Sequence, residues 1–447
     1  MGARAFAFER MIDLLSINDP SGELPTSSYY FASRNSTVKF LKLEESKSCD
    51  VCVIGGGLTG LSTAIRLQEK GFKVILLEAR RLGFGASGRN GGQVGVGQRK
   101  DQLYLEQKFG LSRAKQLWDI GLEATSEVFN LIKKYKIECD YTRGILDVEF
   151  RKRHVWEYQK KVEHMSKVYQ YDKMTFLTKN MLQERLGSEI YYGGLQDDGG
   201  AHIHPLNFVL GLAKAAKNLG VQIFEQSRVK RFHENAKVSV ELENGTKVVS
   251  NFLVLGCNGY IGSLDKNISS WIMPINNYII ATEPLGEQLA KRLIRDNVAV
   301  HDSKFVVNYF RLSADKRLIF GGGESYRYKF PQSIEKKARD PMIKVFPYMK
   351  DVKIDYSWGG TLAVTQNRLP SFQRVERNIF SASGYSGHGV ALATFSGQIL
   401  ADVISGQAEK FDIMSSLPKL KFPGGELMRW PLLVLGMTYY ALKDKLP

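Results

Sequence analysis

Cysteine is scarce, with four in 447 residues at positions 49, 52, 139 and 257. Four thiols cannot staple a chain of this length, and Cys49 and Cys52 share one apolar run without the second pair a zinc site needs. Reduced, structural cysteines of a cytoplasmic protein are the expectation. No apolar run reaches 18 residues, so no spanning helix is expected. The aromatic, basic start over residues 1–10 lacks the apolar segment and cleavage site of a signal peptide. Basic residues are plentiful but not gathered. The 62 Lys and Arg outnumber 46 Asp and Glu to leave +16, spread over 39–47, 133–136, 151–153 and 336–353. Without a basic stripe interleaved with aromatics, no nucleic-acid partner is expected, and a solvated basic face is the plain reading. A metal centre is not expected either. His202 and His204 lack a third ligand, and beside Pro205 they suit capping and packing of a helix.

What is present begins with an apolar run, 49–54, that enters Gly55-Gly56-Gly57-Leu58-Thr59-Gly60 and opens into a helical pattern. Gly71 then leads to a second apolar run that ends in Glu78, 18 residues beyond Gly60. Strand, Gly-x-Gly-x-x-Gly turn, helix, strand and acid together form a device for holding a dinucleotide. Gly55 allows the tight turn, Gly57 lets backbone approach the phosphates, and Gly60 lets helix and strand touch. Glu78 stands where a carboxylate accepts ribose hydroxyls.

A second glycine-rich stretch follows, from Ala79 and Arg80 through Gly85, Ala86, Ser87, Arg89, Asn90, Gly91, Gly92 and Gln93. So many small residues suit close approach of backbone to a flat ligand. The aromatic arm 17–34 reads as irregular structure packed over the folded body. Periodicity predicts helices over 101–135, 152–169, 180–186, 205–219, 336–345 and 390–404, and a crossing or turn over the glycines of 193–200. Strands are predicted at 140–148, 221–224, 229–232, 237–242, 247–249, 252–255, 271–282, 306–311, 317–323, 356–365 and 379–381. The helix after Gly384, Gly387, His388 and Gly389 starts directly from a glycine turn and offers its free amides to an anion or an electron-rich ring edge.

These motifs, with His204-Pro205, Tyr309-Phe310-Arg311-Leu312, Trp358-Gly359-Gly360-Thr361 and Gly384-Tyr385-Ser386-Gly387-His388-Gly389, resemble the FAD-dependent D-amino-acid oxidase, glycine oxidase and sarcosine oxidase superfamily. The likeness covers about 48–410 and is nearest to the gamma-glutamylputrescine oxidoreductase branch. It implies an α/β protein, D-amino-acid-oxidase-like, in which a Rossmann-like FAD-binding domain (48–100, 200–262 and 356–410) is interleaved with an antiparallel-sheet substrate or cap domain (101–199 and 263–355). An N-terminal arm (1–47) and a C-terminal tail (411–447) complete it.

By the same resemblance Gly55, Gly57, Leu58, Thr59 and Gly60 face the pyrophosphate, Glu78, Ala79 and Arg80 the ribose end, and Gly85 to Gln93 the flavin. Val229 and Gly256 belong to the adenine side, and Gly384, Gly387, His388 and Gly389 to the pyrimidine edge. No cysteine stands at Gly359-Gly360-Thr361, so noncovalent FAD is expected. One departure is Thr365-Gln366-Asn367, which replaces a Thr-Pro-Asp-like turn and is expected to loosen or reshape that loop.

The chemistry implied is oxidation of an amine or amino-acid C–N bond to an imine that hydrolyses, with oxygen or another electron acceptor reoxidising the flavin. Gamma-glutamylputrescine or a similar small amine is the leading substrate, and a D-amino acid or N-methyl amino acid is the alternative. A non-catalytic flavoprotein associated with RNA or protein is the alternative of another class, and only the basic balance supports it. Arg311 is the candidate partner of a substrate carboxylate, Tyr309 lines the same pocket, and His388 positions the flavin or assists reoxidation. The apolar stretch 428–440 is expected to pack internally or to touch the inner face of a membrane peripherally. The oligomeric state stays open.

Overall fold

The computed structural model describes residues 13–325, 327–423, 431 and 434–436. The leader 1–10 lies outside the described residues, as does the stretch 428–440 apart from 431 and 434–436. Among the described residues no single helix is long and apolar enough to cross a membrane.

Two sheets organise the chain. The eight-stranded one has a parallel centre in which Lys47–Ile54 lies between Val74–Leu77 and Lys47's other neighbour strand, Lys247–Leu255. Gln222–Phe224 extends it on one side and Ile379–Ser383 on the other. Alternation along Lys47–Ile54 divides its apolar residues between two cores. Val51 and Val53 meet the helices Leu58–Glu69, Pro205–Leu219 and Gly389–Ile404, while Cys52 and Ile54 meet the strands Val229–Glu234 and Val238–Leu242. A strand buried on both faces needs this unbroken apolar run. The Cys52 thiol, fully buried, is pushed up by burial, in keeping with a structural role.

The second sheet has nine strands. Tyr309–Leu312 and Leu318–Ser325 pair antiparallel, as their patterns predict, and Ile354–Val364 and Met273–Thr282 pair along their lengths. Its two faces differ. Leu146, Val148, Val300, Phe310, Phe320 and Tyr278 point into one apolar core. The alternate residues Ile145, Asp147, His301, Tyr309 and Asn277 line a cavity on the other face. Period-two alternation thus assigns one face to stability and the other to chemistry.

Four expectations are corrected. The glycines at 193–200 belong to a ten-residue strand, Gly193–His202, not a turn. It is gripped by Thr142–Glu149 and Met174–Thr178 on either side, and a Cβ at Gly194 would lie 2.2 Å from the Asp147 carbonyl oxygen. Glycine there is a packing requirement. Residues 356–364 pair in the second sheet, so the chain rejoins the first sheet only at Ser371. Likewise Gln93–Val94 pairs with Ala201 and His202 in the second sheet. The helix predicted over 101–135 is two, Gln102–Phe109 and Leu111–Tyr135, broken at Gly110.

The arm packs on the body. Its short helix Tyr29–Ala32 buries Tyr30 completely, edge-on to Trp358 at 5.0 Å between ring centres. Asp19 reaches Arg89 at 2.9 Å, and Glu23 reaches Arg81 at 2.7 Å.

Candidate active site

A cavity of about 510 Å³ runs between the two sheets, from the turn at Gly57 to the face carrying Asp147. At its first end, Gly57 caps the helix Leu58–Glu69 and brings no side chain to the exposed amides. Gly57, Leu58 and Thr59 line the cavity there, and Ser87 Oγ accepts the Leu58 amide at 3.1 Å. The Thr59 and Tyr385 hydroxyls join at 2.7 Å. Gly55 holds φ at +110°, and Gly60 permits the contact behind it, since a Cβ at Gly60 would lie 1.9 Å from the Gly55 carbonyl oxygen.

Glu78 closes the strand Val74–Leu77 without lining the cavity. Its two oxygens accept the Gly56 amide at 2.6 Å and the Arg80 amide at 2.8 Å. Burial raises its carboxyl and those amides work against the rise. Arg80 Nε is buried without a hydrogen-bond partner, and Ala79 lies between Glu78 and Arg80 outside the lining. Val229 also lies outside it, paired with Leu242 and packed in the core beside Cys52. Gly256 does line the cavity and donates its amide to Ile54 at 2.8 Å.

The second glycine stretch divides its labour. Ala86, Ser87, Asn90, Gly91 and Gln93 line the cavity. Asn90 ties the loop to itself, donating to Ala86 and Ser87 carbonyls and accepting the Gly92 amide at 2.8 Å. Gln93 donates to the Val300 carbonyl of the second sheet at 2.8 Å. Arg89 is a brace rather than a lining residue. It is buried and donates to the carbonyls of Phe84 at 2.6 Å and Gly359 at 3.1 Å. Gly85 packs against Tyr260.

Arg311 is not placed as expected for a carboxylate partner. Only 2% exposed and absent from the lining, it donates to the carbonyls of Gly91 at 2.8 Å and Leu312 at 3.1 Å, and to the Tyr30 hydroxyl at 3.2 Å. Its guanidinium holds the arm, the loop and the second sheet together. Tyr309, two residues away on the same face, does reach the cavity. Its ring lies against Gly91 and Gly321, and its hydroxyl donates to Asn277.

The late turn supplies the facing wall. Gly387, His388 and Gly389 line the cavity, and His388 caps Gly389–Ile404 without a side-chain hydrogen bond to the helix. Gly384, at φ +77°, is tucked behind and takes its amide to Asn258 at 2.9 Å. His388 Nε2 is buried with no partner. Burial, aided by Arg99 and His301, lowers the His388 imidazole to about 4, so it is neutral at pH 7. The turn at Thr365-Gln366-Asn367 is not loosened. Thr365 Oγ1 donates to Leu369 at 2.7 Å, Asn367 donates to Pro418 at 2.6 Å, and Arg368 lines the cavity. His202 and His204 stand apart from the cavity. His204 accepts the Asn207 amide as a helix cap, and His202 shares a contact of 2.8 Å with the Asn297 carbonyl.

Asp147, His301, Tyr158 and Asn277 line the cavity without having been singled out from the sequence. The available signal was slight: an acid two residues beyond Ile145 in the strand Thr142–Glu149, which also carries Arg143 and Glu149. Among the described residues no group of three or more His, Cys, Asp or Glu is arranged to hold a metal.

The family model described as FAD dependent oxidoreductase matches residues 50–403. Gamma-glutamylputrescine oxidoreductase of Escherichia coli is 39% identical over 422 residues, covering 94% of this chain and 99% of that protein. The probable oxidoreductase OrdL of Haemophilus influenzae is 41% identical over 425 residues, covering 94% and 97%. In fold, the glycine oxidase structure from Bacillus cereus superposes with a TM-score of 0.66 at 21% identity, covering 83% of this chain and 100% of that one.

Proposed function

Because the chain belongs to the FAD-dependent oxidoreductase family, an enzyme family acting on small molecules, we propose that it oxidises the terminal amine of gamma-glutamylputrescine or a closely similar glutamylated amine, as a step of polyamine breakdown. The observation that carries this is the 39% identity maintained over 99% of the Escherichia coli enzyme of that name. The residues present fit FAD. Two helix starts without a side-chain capping hydrogen bond, at Gly57 and His388, open on one cavity, and a buried His388 nitrogen there lacks a partner.

In this reading the first turn of Leu58–Glu69 would hold the pyrophosphate and the turn Gly387–His388–Gly389 the pyrimidine edge of the ring. Glu78, whose oxygens also take the Gly56 and Arg80 amides, would face the ribose from outside the cavity lining. The first sheet serves the cofactor and the second the substrate. Noncovalent attachment is the reading, supported by the position of Cys49, Cys52, Cys139 and Cys257 outside the cavity lining. FAD held there would supply the two-electron oxidant as a hydride acceptor; the amine carbon would lose a hydride and its nitrogen a proton, and water would hydrolyse the resulting imine to aldehyde and ammonia. Tyr309 and Asn277 orient the substrate against the loop at Gly91, and both sheets exclude water from it. A D-amino acid or N-methyl amino acid is the second reading. Arg99, Lys100 and Arg368 line the same cavity.

Anaerobic mixing of the FAD-loaded protein with a panel of amines decides between them. Gamma-glutamylputrescine is expected to bleach the flavin spectrum. Bleaching by N-methyl or D-amino acids alone moves the assignment to the second reading, and no bleaching by any amine removes both.

His388 is assigned to reoxidation. Replacing it by alanine is expected to slow the oxidative half-reaction about tenfold or more in stopped-flow measurements, with substrate affinity changed less than about twofold. Because burial holds the imidazole at about 4, its protonation adds no step to the reoxidation rate between about pH 5.5 and 9. A wild-type ionisation in that window which vanishes in His388→Ala contradicts the burial argument.

A further inference from the structure

Across the cavity face of the second sheet, one register row reads Tyr309, His301, Asp147. Tyr309 pairs with His301 and His301 with Asp147 in adjacent strands, so the three side chains stand side by side. Tyr309 marks the end against the Gly91 loop. Two strand spacings put Asp147 about 10 Å further along.

Asp147 differs from Asp101 and Asp302 in having no lysine within ion-pair distance, although the Lys161 charge acts on it through space. It differs from Asp197 in being more open to the cavity. Asp101 holds Lys161 at 2.9 Å. Asp302 takes both the amide and the side chain of Asn308, with Lys304 at 3.9 Å. Asp197 accepts the Tyr171 hydroxyl at 2.6 Å and the Gly199 amide at 2.9 Å. Asp147 Oδ1 accepts from Tyr158 at 3.1 Å and lies 3.6 Å from His301 Nε2. Burial lowers the His301 imidazole, which leaves it uncharged at neutral pH. Among the described residues neither Asp147 oxygen has a lysine or arginine within ion-pair distance, and Oδ2 accepts no hydrogen bond. The side chain is 22% exposed, toward the cavity.

A carboxylate oriented by a phenol and an imidazole, with one oxygen spare, suits a cation delivered by the ligand. We propose that Asp147, positioned by Tyr158 and His301, binds the second, non-reacting ammonium group of the substrate. The ligand is then a chain with an oxidised amine at the Tyr309 end and a second ammonium about 10 Å away, the span of roughly nine extended bonds. This deepens the amine-oxidation reading and rests on it for the identity of the ligand. It also explains how a protein of charge +16 accepts a cationic substrate, because recognition is local and long-range repulsion is screened within about 10 Å at ordinary ionic strength.

The test is calorimetric, on the full-length FAD-loaded protein, with gamma-glutamylethylamide and its counterpart lacking the alpha-ammonium, N-ethylglutaramate. Neither probe carries the reacting amine. Asp147→Asn is expected to weaken gamma-glutamylethylamide at least about tenfold and N-ethylglutaramate less than about twofold. Tyr158→Phe, which keeps the carboxylate but removes its donor, is expected to weaken the first probe about threefold. Equal weakening of both probes, weakening of neither, or wild-type protein that does not prefer the ammonium-bearing probe overturns the subsite. Turnover of gamma-glutamylputrescine is followed separately. Its absence with the discrimination intact removes the oxidation reading and leaves the ammonium site, whereas turnover without discrimination does the reverse.

Discussion

Replacing Arg311 with methionine is expected to strip the protein of FAD before it harms any particular substrate. The guanidinium is 2% exposed and its three nitrogens serve the Gly91 carbonyl, the Leu312 carbonyl and the Tyr30 hydroxyl. Methionine fills much of the volume but leaves those buried oxygens without a charged donor, a loss of about 3 kcal/mol. The loop at Gly91 and the arm at Tyr30 both loosen. FAD affinity should fall about 100-fold, read by release of flavin fluorescence, and the thermal midpoint should drop with it. KM on the enzyme that retains flavin should change to the same extent for substrates with and without a carboxylate. Were Arg311 the carboxylate's partner, retention would be normal and KM would rise only for carboxylate substrates. Arg311→Lys recovers little, because one ammonium cannot reach three oxygens on separate elements.

Gly60→Val is expected to give protein purified without FAD. An added Cβ would stand 1.9 Å from the Gly55 carbonyl oxygen and 3.3 Å from Val53 Cγ1. Backbone cannot turn aside, so the helix Leu58–Glu69 must retreat from its strand and take its first-turn amides with it. The overpacking costs about 3 kcal/mol, and flavin absorbance together with thermal unfolding reports both consequences. Gly57→Ala is the milder companion. Its Cβ meets only the Ser87 hydroxyl, at 2.7 Å, a group that can rotate. Partial retention of FAD is expected, and equal behaviour of the two variants would contradict a backbone clash as the cause.

Both variants show why parts of this protein were readable in advance. The Gly55–Gly60 turn and Glu78 are dictated locally, by close approach of one strand and one helix a few residues apart. The helix at Pro205 carries its own signals, proline at its start and Gly220 at its C-cap, and it forms as predicted. The strands around Tyr309 and Leu318 alternate and are joined by a short turn, so their pairing is equally local. Glycines 193–200 misled because glycine signifies a turn when the neighbours are unknown. Here the neighbours are the Asp147 backbone and the Tyr171 hydroxyl, which come from elsewhere in the chain.

The residue pattern alone was enough for the strand, glycine turn and helix of a dinucleotide-binding unit and for membership in an FAD oxidoreductase family. Those properties follow from contacts near in sequence. Tertiary structure decided which polar residues reach the cavity. Arg311 and Tyr309 share a strand face, yet one is consumed by a carbonyl 220 residues away and the other opens on the cavity. Asp147 acquired its place because Ala299–Asp302 lies beside it in parallel, bringing His301 from more than a hundred residues further on. A charged group's role depends on who neutralises it, and that partner is chosen by packing between distant segments.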